Sequence, residues 1–303
     1  MFASLLALLL AMQQITVPLG KVPPHPELPR APIEQAGPAW AAECGTSTDW
    51  EKPAPPVRLH ANTYYVGTCG IASILIVGAQ GNVLIDGGTE ADADLIADNI
   101  RELGFRLRDI RYILVSHEHA DHVGGVARLQ KLSGAAVVAS AAAARVLETG
   151  QPARDDPQFG TIKPFPPVRV ERVVRDGDSL VLDNLRIDAI ATPGHTAGAT
   201  SWRWEACDGA VCRTMVYADS LSPVSGKDYR FSDHPAYVAA FRASLAKLAA
   251  SRCEILLTPH PDASQFRERI AAGKPLLDEG GCKAYAAKRG RDLDERLARE
   301  AVK

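Results

Sequence analysis

The chain has 303 residues, of which 46% are hydrophobic and 23% charged, and this composition is typical of a globular protein with a substantial core. It excludes an intrinsically disordered chain, a collagen and a coiled coil. The 34 Lys and Arg residues nearly balance the 36 Asp and Glu residues, and the net charge of −2 gives no support to a nucleic-acid partner. The length allows one domain or two.

The amino-terminal region divides into two predicted segments. An uncharged apolar run, Phe2 to Met12, is too short to cross a bilayer as a helix and predicts a signal peptide over residues 1–20. We therefore expect export to the periplasm and a mature form that is not in the membrane. The alternative is a buried helix of the mature domain. Residues 21–56 are rich in proline and predict an extended surface arm, which precedes a single domain over residues 57–303.

The six cysteines support export, because their number is even and they form no Cys-x-x-Cys motif. They predict three disulfides in an oxidising compartment. Many pairings are compatible with the sequence, and the simplest joins neighbours along the chain. These pairs are Cys44 with Cys69, Cys207 with Cys212, and Cys253 with Cys282. The alternative is six buried free thiols in a cytosolic enzyme.

The first half of the main domain begins with short apolar runs rich in β-formers, separated by glycines. They predict antiparallel strands at 63–66, 72–77 and 83–85. Apolar residues at helical spacing then predict a helix over 91–104, which ends at a glycine. A short apolar run at 112–115 predicts a buried strand, and Ser116 opens the loop that follows it.

The second half repeats this order of strands followed by helices. The predicted strands lie at 168–174, 179–182, 186–190, 200–204 and 213–217, followed by a helix over 235–250, a strand at 255–257 and helical tail segments. Two such sets favour a layered α/β sandwich, in which two sheets pack together and helices cover the outside. The catalytic loops are then expected along one rim of the sandwich.

The densest chemistry lies directly after the strand at 112–115. Within six residues the chain carries His117, Glu118, His119, Asp121 and His122, followed by a Gly-Gly pair. Imidazole nitrogens and carboxylate oxygens are the ligands that zinc accepts. The spacing of His117 and His119 predicts that both rings face one ion, while Asp121 and His122 face a second.

Two later loops each supply one more histidine just beyond a predicted strand. His195 lies in Thr-Pro-Gly-His-Thr, and His260 lies in Thr-Pro-His-Pro. The sum is five histidines and one aspartate, which divide into two sets of three ligands. Each set leaves coordination positions open, which is typical of a catalytic metal site and not of a structural one.

This pattern of His-x-His-x-Asp-His with two later histidines resembles the metallo-β-lactamase superfamily of αββα sandwich hydrolases, over residues 57 to about 275. Three further segments resemble its subclass B3: Asp86-Gly87-Gly88, the run from Tyr217 to Pro223, and the Thr-Pro-His-Pro loop. The predicted disulfide pattern also resembles exported members of that subclass. Ser220 stands where subclasses B1 and B2 have a cysteine ligand, so those subclasses fit poorly.

The resemblance implies two zinc ions and assigns the ligands. The first zinc would be held by His117, His119 and His195, and the second by Asp121, His122 and His260. A hydroxide bridging the two ions, oriented by Asp121, would open a β-lactam ring. The substrates implied are penicillins, cephalosporins and carbapenems, so that the protein confers antibiotic resistance.

The resemblance also suggests substrate contacts, with Ser220 and Ser222 binding the substrate carboxylate directly or through water. Gln158 lies where some members contact substrate, but a solvated loop amide is an equal interpretation. Glu118 is expected to be solvated or to support the ligands.

Two other functions remain open from the sequence. One is another hydrolase of the same fold, a lactonase or a glyoxalase II-like thioesterase, in which an aspartate near Asp219 bridges the metals. The other is a zinc-dependent binding protein without turnover, which the six intact ligand positions disfavour. No heptad or apolar stripe indicates an oligomer, so a monomer is expected.

Overall fold

The computed structural model describes residues 33–302. The predicted signal peptide and the first part of the proline-rich arm lie outside the described residues. Among the described residues, no helix combines the length and the apolar character needed to cross a membrane.

The first sheet has seven strands in sequence order. The strands are β1 (Val57–His60), β2 (Thr63–Tyr65), β3 (Ile74–Ile76), β4 (Asn82–Ile85), β5 (Ile110–Leu114), β6 (Ala136–Ser140) and β7 (Val170–Val174). Pairing is antiparallel from β1 to β4 and parallel from β4 to β7. Strands β3 and β4 are buried along their whole length, because both faces of the sheet are covered.

The second sheet has five strands in the order β12-β11-β10-β9-β8. The strands are β8 (Ser179–Leu182), β9 (Leu185–Ala191), β10 (Thr200–Asp208), β11 (Val211–Tyr217) and β12 (Ile255–Leu257). All pairs are antiparallel except β11 with β12. In β9 the buried residues Leu185, Ile187 and Ala189 alternate with more exposed neighbours, which is the pattern of a sheet with one face against the core.

In the described part of the chain, eight α-helices surround the sheets. They are α1 (Ile33–Cys44), α2 (Ala93–Glu102), α3 (Ala120–Val123), α4 (Val126–Ser133), α5 (Ala141–Thr149), α6 (Pro235–Ala250), α7 (Phe266–Ala271) and α8 (Gly281–Ala301). Helix α6 begins with Pro235 in its first turn, where a missing backbone N–H costs nothing.

Three apolar clusters hold the layers together. The central one joins the two sheets, with Ile85 of the first sheet and Trp202 of the second fully buried in it. A second cluster packs α2 and α4 on the outer face of the first sheet, and a third packs α6 and α8 on the outer face of the second. The predicted αββα sandwich is therefore confirmed.

The expectation of an extended arm before residue 57 is wrong for residues 33–44, which form α1 despite the internal Pro38. Proline normally breaks a helix interior because it removes a hydrogen bond. Here Trp40 is fully buried and its ring lies 6.3 Å from the ring of Tyr65, so packing on the core outweighs the local cost.

The three predicted disulfides are confirmed. Cys44 pairs with Cys69, Cys207 with Cys212, and Cys253 with Cys282, so no cysteine is free. The first fixes the end of α1, the second joins opposite positions of β10 and β11, and the third fixes the start of α8. Since all six cysteines form disulfides, no cysteine can serve as a metal ligand.

Candidate metal centre

The predicted ligands meet at one rim of the sandwich. Three segments deliver them, each directly beyond the carboxyl end of a strand: residues 116–122 after β5, His195 after β9, and His260 after β12. Loops at strand ends leave the sheet and carry functional side chains, while the strands fix their position.

One cluster contains His117, His119 and His195. The three residues offer ligand atoms that all lie within 4.8 Å of one another. Each pair of their rings is 4.8 Å apart between centroids, and all three residues are buried. The Nε2 atom of His117 has no hydrogen-bond partner among the described protein atoms, which suits a nitrogen that binds a cation.

A second cluster shares His117 with the first and adds Asp121 and His122, again within 4.8 Å. The carboxylate oxygen Oδ2 of Asp121 lies 3.1 Å from Nε2 of His122 and 3.5 Å from Nε2 of His260. The six residues selected from the sequence therefore lie together, and the side chain of His260 is the most exposed of them.

Three acceptors fix which nitrogen of each histidine in the first cluster carries the proton. Nδ1 of His117 donates to Asp219 at 2.8 Å, and Nε2 of His119 donates to Asp156 at 3.1 Å. Nδ1 of His195 donates to the backbone oxygen of Ser222 at 3.0 Å. The opposite nitrogen of each ring is thereby left unprotonated, which is the form that can bind a metal.

Burial keeps most of these imidazoles neutral, the form that binds metal. It lowers the pKa of His195 to about 3, with His119 adding to the effect, and lowers the pKa of His260 to about 4. The pKa of His117 is also well below its ordinary value because of burial and the neighbouring His122. For His122, burial acts in the same direction but is outweighed by the Asp121 carboxylate, which raises its pKa.

The donor set fits zinc. It consists of imidazole nitrogens and one carboxylate, without thiolates, and both are ligands of catalytic zinc. An all-oxygen set would instead indicate magnesium or calcium.

Asp86 lies beneath the rim of the sandwich that carries the candidate ligands. In the sequence it stands out only as part of the Asp-Gly-Gly segment. Its carboxylate accepts from the backbone N and the hydroxyl of Ser116 and from the hydroxyl of Tyr217, at 2.6–2.8 Å. It lies 3.8 Å from Nδ1 of His122. Burial raises the pKa of Asp86 to about 6. Its backbone is left-handed, with φ of 61°, so the residue occupies a conformation that most side chains avoid.

Glu118 is buried, so the expectation that it is solvated is wrong and the supporting role applies. Its carboxylate accepts from the hydroxyl of Thr196 at 2.8 Å and from the backbone N of Gly198 at 3.0 Å. Glu118, which lies between the candidate ligands His117 and His119, therefore hydrogen-bonds to the loop that carries His195. A Cβ at Gly198 would lie 2.5 Å from Oε2 of Glu118, which explains the glycine.

A cavity of about 820 Å³ opens over both clusters. His119, Asp121, His195 and His260 lie in its lining, together with Gln158 and Ser222. Nε2 of Gln158 is 3.3 Å from Nε2 of His195, and the hydroxyl of Ser222 is 2.9 Å from Nδ1 of the same ring. Ser220 is only 4% exposed, is absent from this lining, and its hydroxyl has no partner among the described protein atoms.

Apolar side chains line the outer part of the cavity. Trp50 is 49% exposed and its ring lies 5.8 Å from that of His260. Val224 is 50% exposed on the opposite loop. A polar floor under an apolar mouth is typical of a site for a small organic molecule.

The profile of the metallo-β-lactamase superfamily matches residues 66–260. The fold is similar to that of the MIM-2 metallo-β-lactamase, at 52% identity and a TM-score of 0.84, covering 88% of this chain and 98% of that one. It is similar too to MEM-A1, a subclass B3 metallo-β-lactamase from a soil metagenome library, at 43% identity and a TM-score of 0.81, covering 84% and 99%.

Similarity to curated proteins is weaker. A hydroxyacylglutathione hydrolase of Pseudomonas paraeruginosa is 29% identical over 186 residues, which are 57% of this chain and 60% of that protein. The chain spans about half the length of the curated relatives it matches. The near full-length coverage of the solved relatives and the profile match lead to one assignment: the chain belongs to the metallo-β-lactamase superfamily and, within it, to subclass B3.

Proposed function

We propose that the protein is a zinc-dependent β-lactamase with two zinc ions, which hydrolyses penicillins, cephalosporins and carbapenems. The observation that carries this proposal is the pair of ligand clusters beneath one cavity, whose lining includes His119, Asp121, His195 and His260. Identities of 43% and 52% to proteins named metallo-β-lactamases support the choice of substrate class.

His117, His119 and His195 would hold the first zinc, and Asp121, His122 and His260 the second. Zinc bound there supplies a Lewis acid for the substrate carbonyl and lowers the pKa of water. Asp219, Asp156 and the backbone of Ser222 orient the three rings of the first cluster by accepting their distal protons.

Asp121 lies at the cavity surface, where its carboxylate can accept a hydrogen bond from the attacking water and orient it. Attack at the carbonyl carbon breaks the amide bond of the ring, and the ring nitrogen takes up a proton. No covalent bond between enzyme and substrate is required.

Substrate binding would fall to Ser222 and Gln158, whose polar groups flank His195 at the cavity wall. They can donate to the carboxylate of the substrate. Ser220 lies behind this wall and would act through a water, to which its unpaired hydroxyl can donate.

The placement of Asp219 favours this function over a glyoxalase II-like thioesterase. One carboxylate oxygen accepts from Nδ1 of His117 and the other from the backbone N of Leu221 at 3.3 Å. Asp219 thus contacts the nitrogen that faces away from the first cluster, which suits an orienting role more than a bridge between metals.

We further propose that the protein is exported to the periplasm as a monomer. The three disulfides support an oxidising compartment.

The test is hydrolysis of a cephalosporin and a carbapenem by the zinc-loaded protein, followed by absorbance with and without a chelator, beside a lactone and a glutathione thioester. We expect β-lactam turnover that the chelator abolishes. Cleavage of the lactone or the thioester without β-lactam turnover would contradict the proposal and favour another hydrolase of this fold.

A further inference from the structure

The carboxyl-terminal helix α8 lies against the segment that forms one wall of the cavity. We call residues 222–234 the cavity loop. Near the start of α8, the hydroxyl of Tyr285 donates to the backbone oxygens of Asp219 and Ser220, at 3.1 and 2.5 Å, just before this loop. The Cys253–Cys282 disulfide fixes the same end of the helix.

Near the other end of α8, Arg296 reaches the middle of the cavity loop. Its Nη2 donates to the hydroxyl of Ser225 at 2.5 Å and to the backbone oxygen of Tyr229 at 3.2 Å. Its guanidinium carbon lies 5.7 Å from the ring centre of Phe231. One side chain therefore contacts three residues of the loop.

Glu300, one turn further along α8, holds the far end of the loop. Its carboxylate accepts from the backbone N of Phe231 at 3.2 Å and of Ser232 at 2.8 Å, and from Nε of Arg296 at 2.5 Å. The residue is only 6% exposed. A largely buried carboxylate with several donors forms a strong, directional anchor, so the position of Arg296 is itself fixed.

The part of the cavity loop that Arg296 contacts forms one wall of the cavity. Val224, which lines the cavity, lies directly before Ser225. The backbone N of Gly226 donates to the oxygen of Pro157 at 2.8 Å, next to Gln158 in the opposite wall. At the start of the loop, Ser222 is fixed separately by His195. Loss of Arg296 would therefore loosen the wall that carries Val224 but leave the ligands in place.

We propose that Arg296 is a positioning residue that determines how tightly the cavity binds its substrate, acting through the cavity loop. This inference rests on the proposed function. Because the metal ligands and the contact between Ser222 and His195 do not depend on Arg296, its removal affects KM and leaves kcat nearly unchanged.

The experiment uses the zinc-loaded Arg296→Met variant and measures two quantities. Cephalosporin hydrolysis gives KM and kcat, and we expect KM to rise about fivefold with kcat within about twofold. Hydrogen exchange followed by mass spectrometry is expected to show faster exchange in peptides covering 222–234. Ser225→Ala removes one contact of Arg296 together with the hydrogen bond from the Ser225 hydroxyl to the backbone oxygen of Tyr229. It is expected to change both quantities in the same direction by less, and it replaces the first variant if that one does not fold.

Arg299→Met is the matched control, because Arg299 lies three residues further along α8 and pairs with exposed Glu295 at 3.8 Å. It is expected to behave as the wild type. Unchanged KM or unchanged exchange in both Arg296→Met and Ser225→Ala would overturn the inference. If the wild type hydrolyses no β-lactam, the proposed function fails, and the exchange measurement alone still decides whether Arg296 holds the loop.

Discussion

Nδ1 of His117 lies 2.8 Å from a carboxylate oxygen of Asp219, and neither side chain is exposed to solvent. His117 belongs to both groups of candidate ligands, so this one contact orients a residue at the centre of the proposed metal site. Burial raises the pKa of Asp219, and the nearby His195 opposes that effect.

Asp219→Asn is therefore expected to weaken zinc binding by about tenfold to a hundredfold, because the amide is a poorer acceptor for the imidazole N–H. Zinc affinity is measured by competition with a chromophoric chelator. Asp233→Asn, which changes an exposed aspartate, is the control. Equal affinities for the two variants would contradict the role assigned to Asp219.

Gly198→Ala tests the contact between the loops that carry His119 and His195. The added Cβ would lie 2.5 Å from both Oε2 of Glu118 and the backbone N of Ala143, so the packing against both must shift. We expect a loss of about 1–3 kcal/mol in the free energy of unfolding and weaker zinc binding. Urea denaturation and chelator competition measure the two effects.

Gly290→Ala is the matched control for that substitution. Gly290 lies inside α8, and its nearest atom to an added Cβ is a side-chain carbon of Leu245 at 3.9 Å. Because glycine is unfavourable in a helix, alanine is expected to stabilise the protein by up to about 1 kcal/mol. A loss of stability at Gly290 similar to that at Gly198 would show that the contact with Glu118 is not the cause.

Loss of the Cys44–Cys69 disulfide in the Cys44→Ser, Cys69→Ser variant should destabilise the protein by about 2–4 kcal/mol. The bond closes a loop over a sequence separation of 25 and fixes α1 to the core. Zinc is expected to be lost only to the extent that the fold is destabilised, although the backbone of Gly70, directly after Cys69, hydrogen-bonds to the ring of His260. Denaturation measures the loss of stability, and metal analysis measures the zinc content. Loss of zinc from a variant of full stability would contradict this prediction.

Glu254 gives the protein a pH-dependent stability outside the metal site. The backbone N of Thr214 and the guanidinium of Arg213 donate to its carboxylate and lower its pKa to about 2. Because the folded pKa is below its ordinary value of 4.5, the stabilisation is complete above that pH and disappears as pH falls towards 2.

Glu254→Gln should therefore have a lower Tm than the wild type at pH 7, and the difference should shrink as the pH falls from 5 to 3. Thermal unfolding of both proteins across this range is the measurement. A difference in Tm that does not depend on pH would mean that the charge of Glu254 is not what matters.

Local sequence patterns predicted most of the fold. Strands at 179–182 and 255–257 and the helix over 235–250 have the predicted bounds, since each is an apolar run bounded by turn residues. Strands β1 and β6 were not predicted, because β1 is short and beside prolines and β6 runs into the alanines of α5. Helix α1 depends on Trp40 packing against the core, which no local pattern contains.

That the six candidate ligands lie together was predictable for the same reason, since dense histidines beyond strand ends are a local signal. Their supports were not, because Asp156, Asp219 and Ser222 are far in sequence from the histidines that they orient. Glu118 lies within the motif, yet only the folded chain shows that it reaches Thr196 and Gly198.

The most direct test of the central claim is a zinc titration of the metal-free protein, with bound zinc and cephalosporin ring opening measured at every addition. The two proposed sets of three ligands predict that two zinc ions bind per chain and that ring opening appears with them. Ring opening in the absence of metal, or two bound zinc ions without ring opening, would contradict the claim.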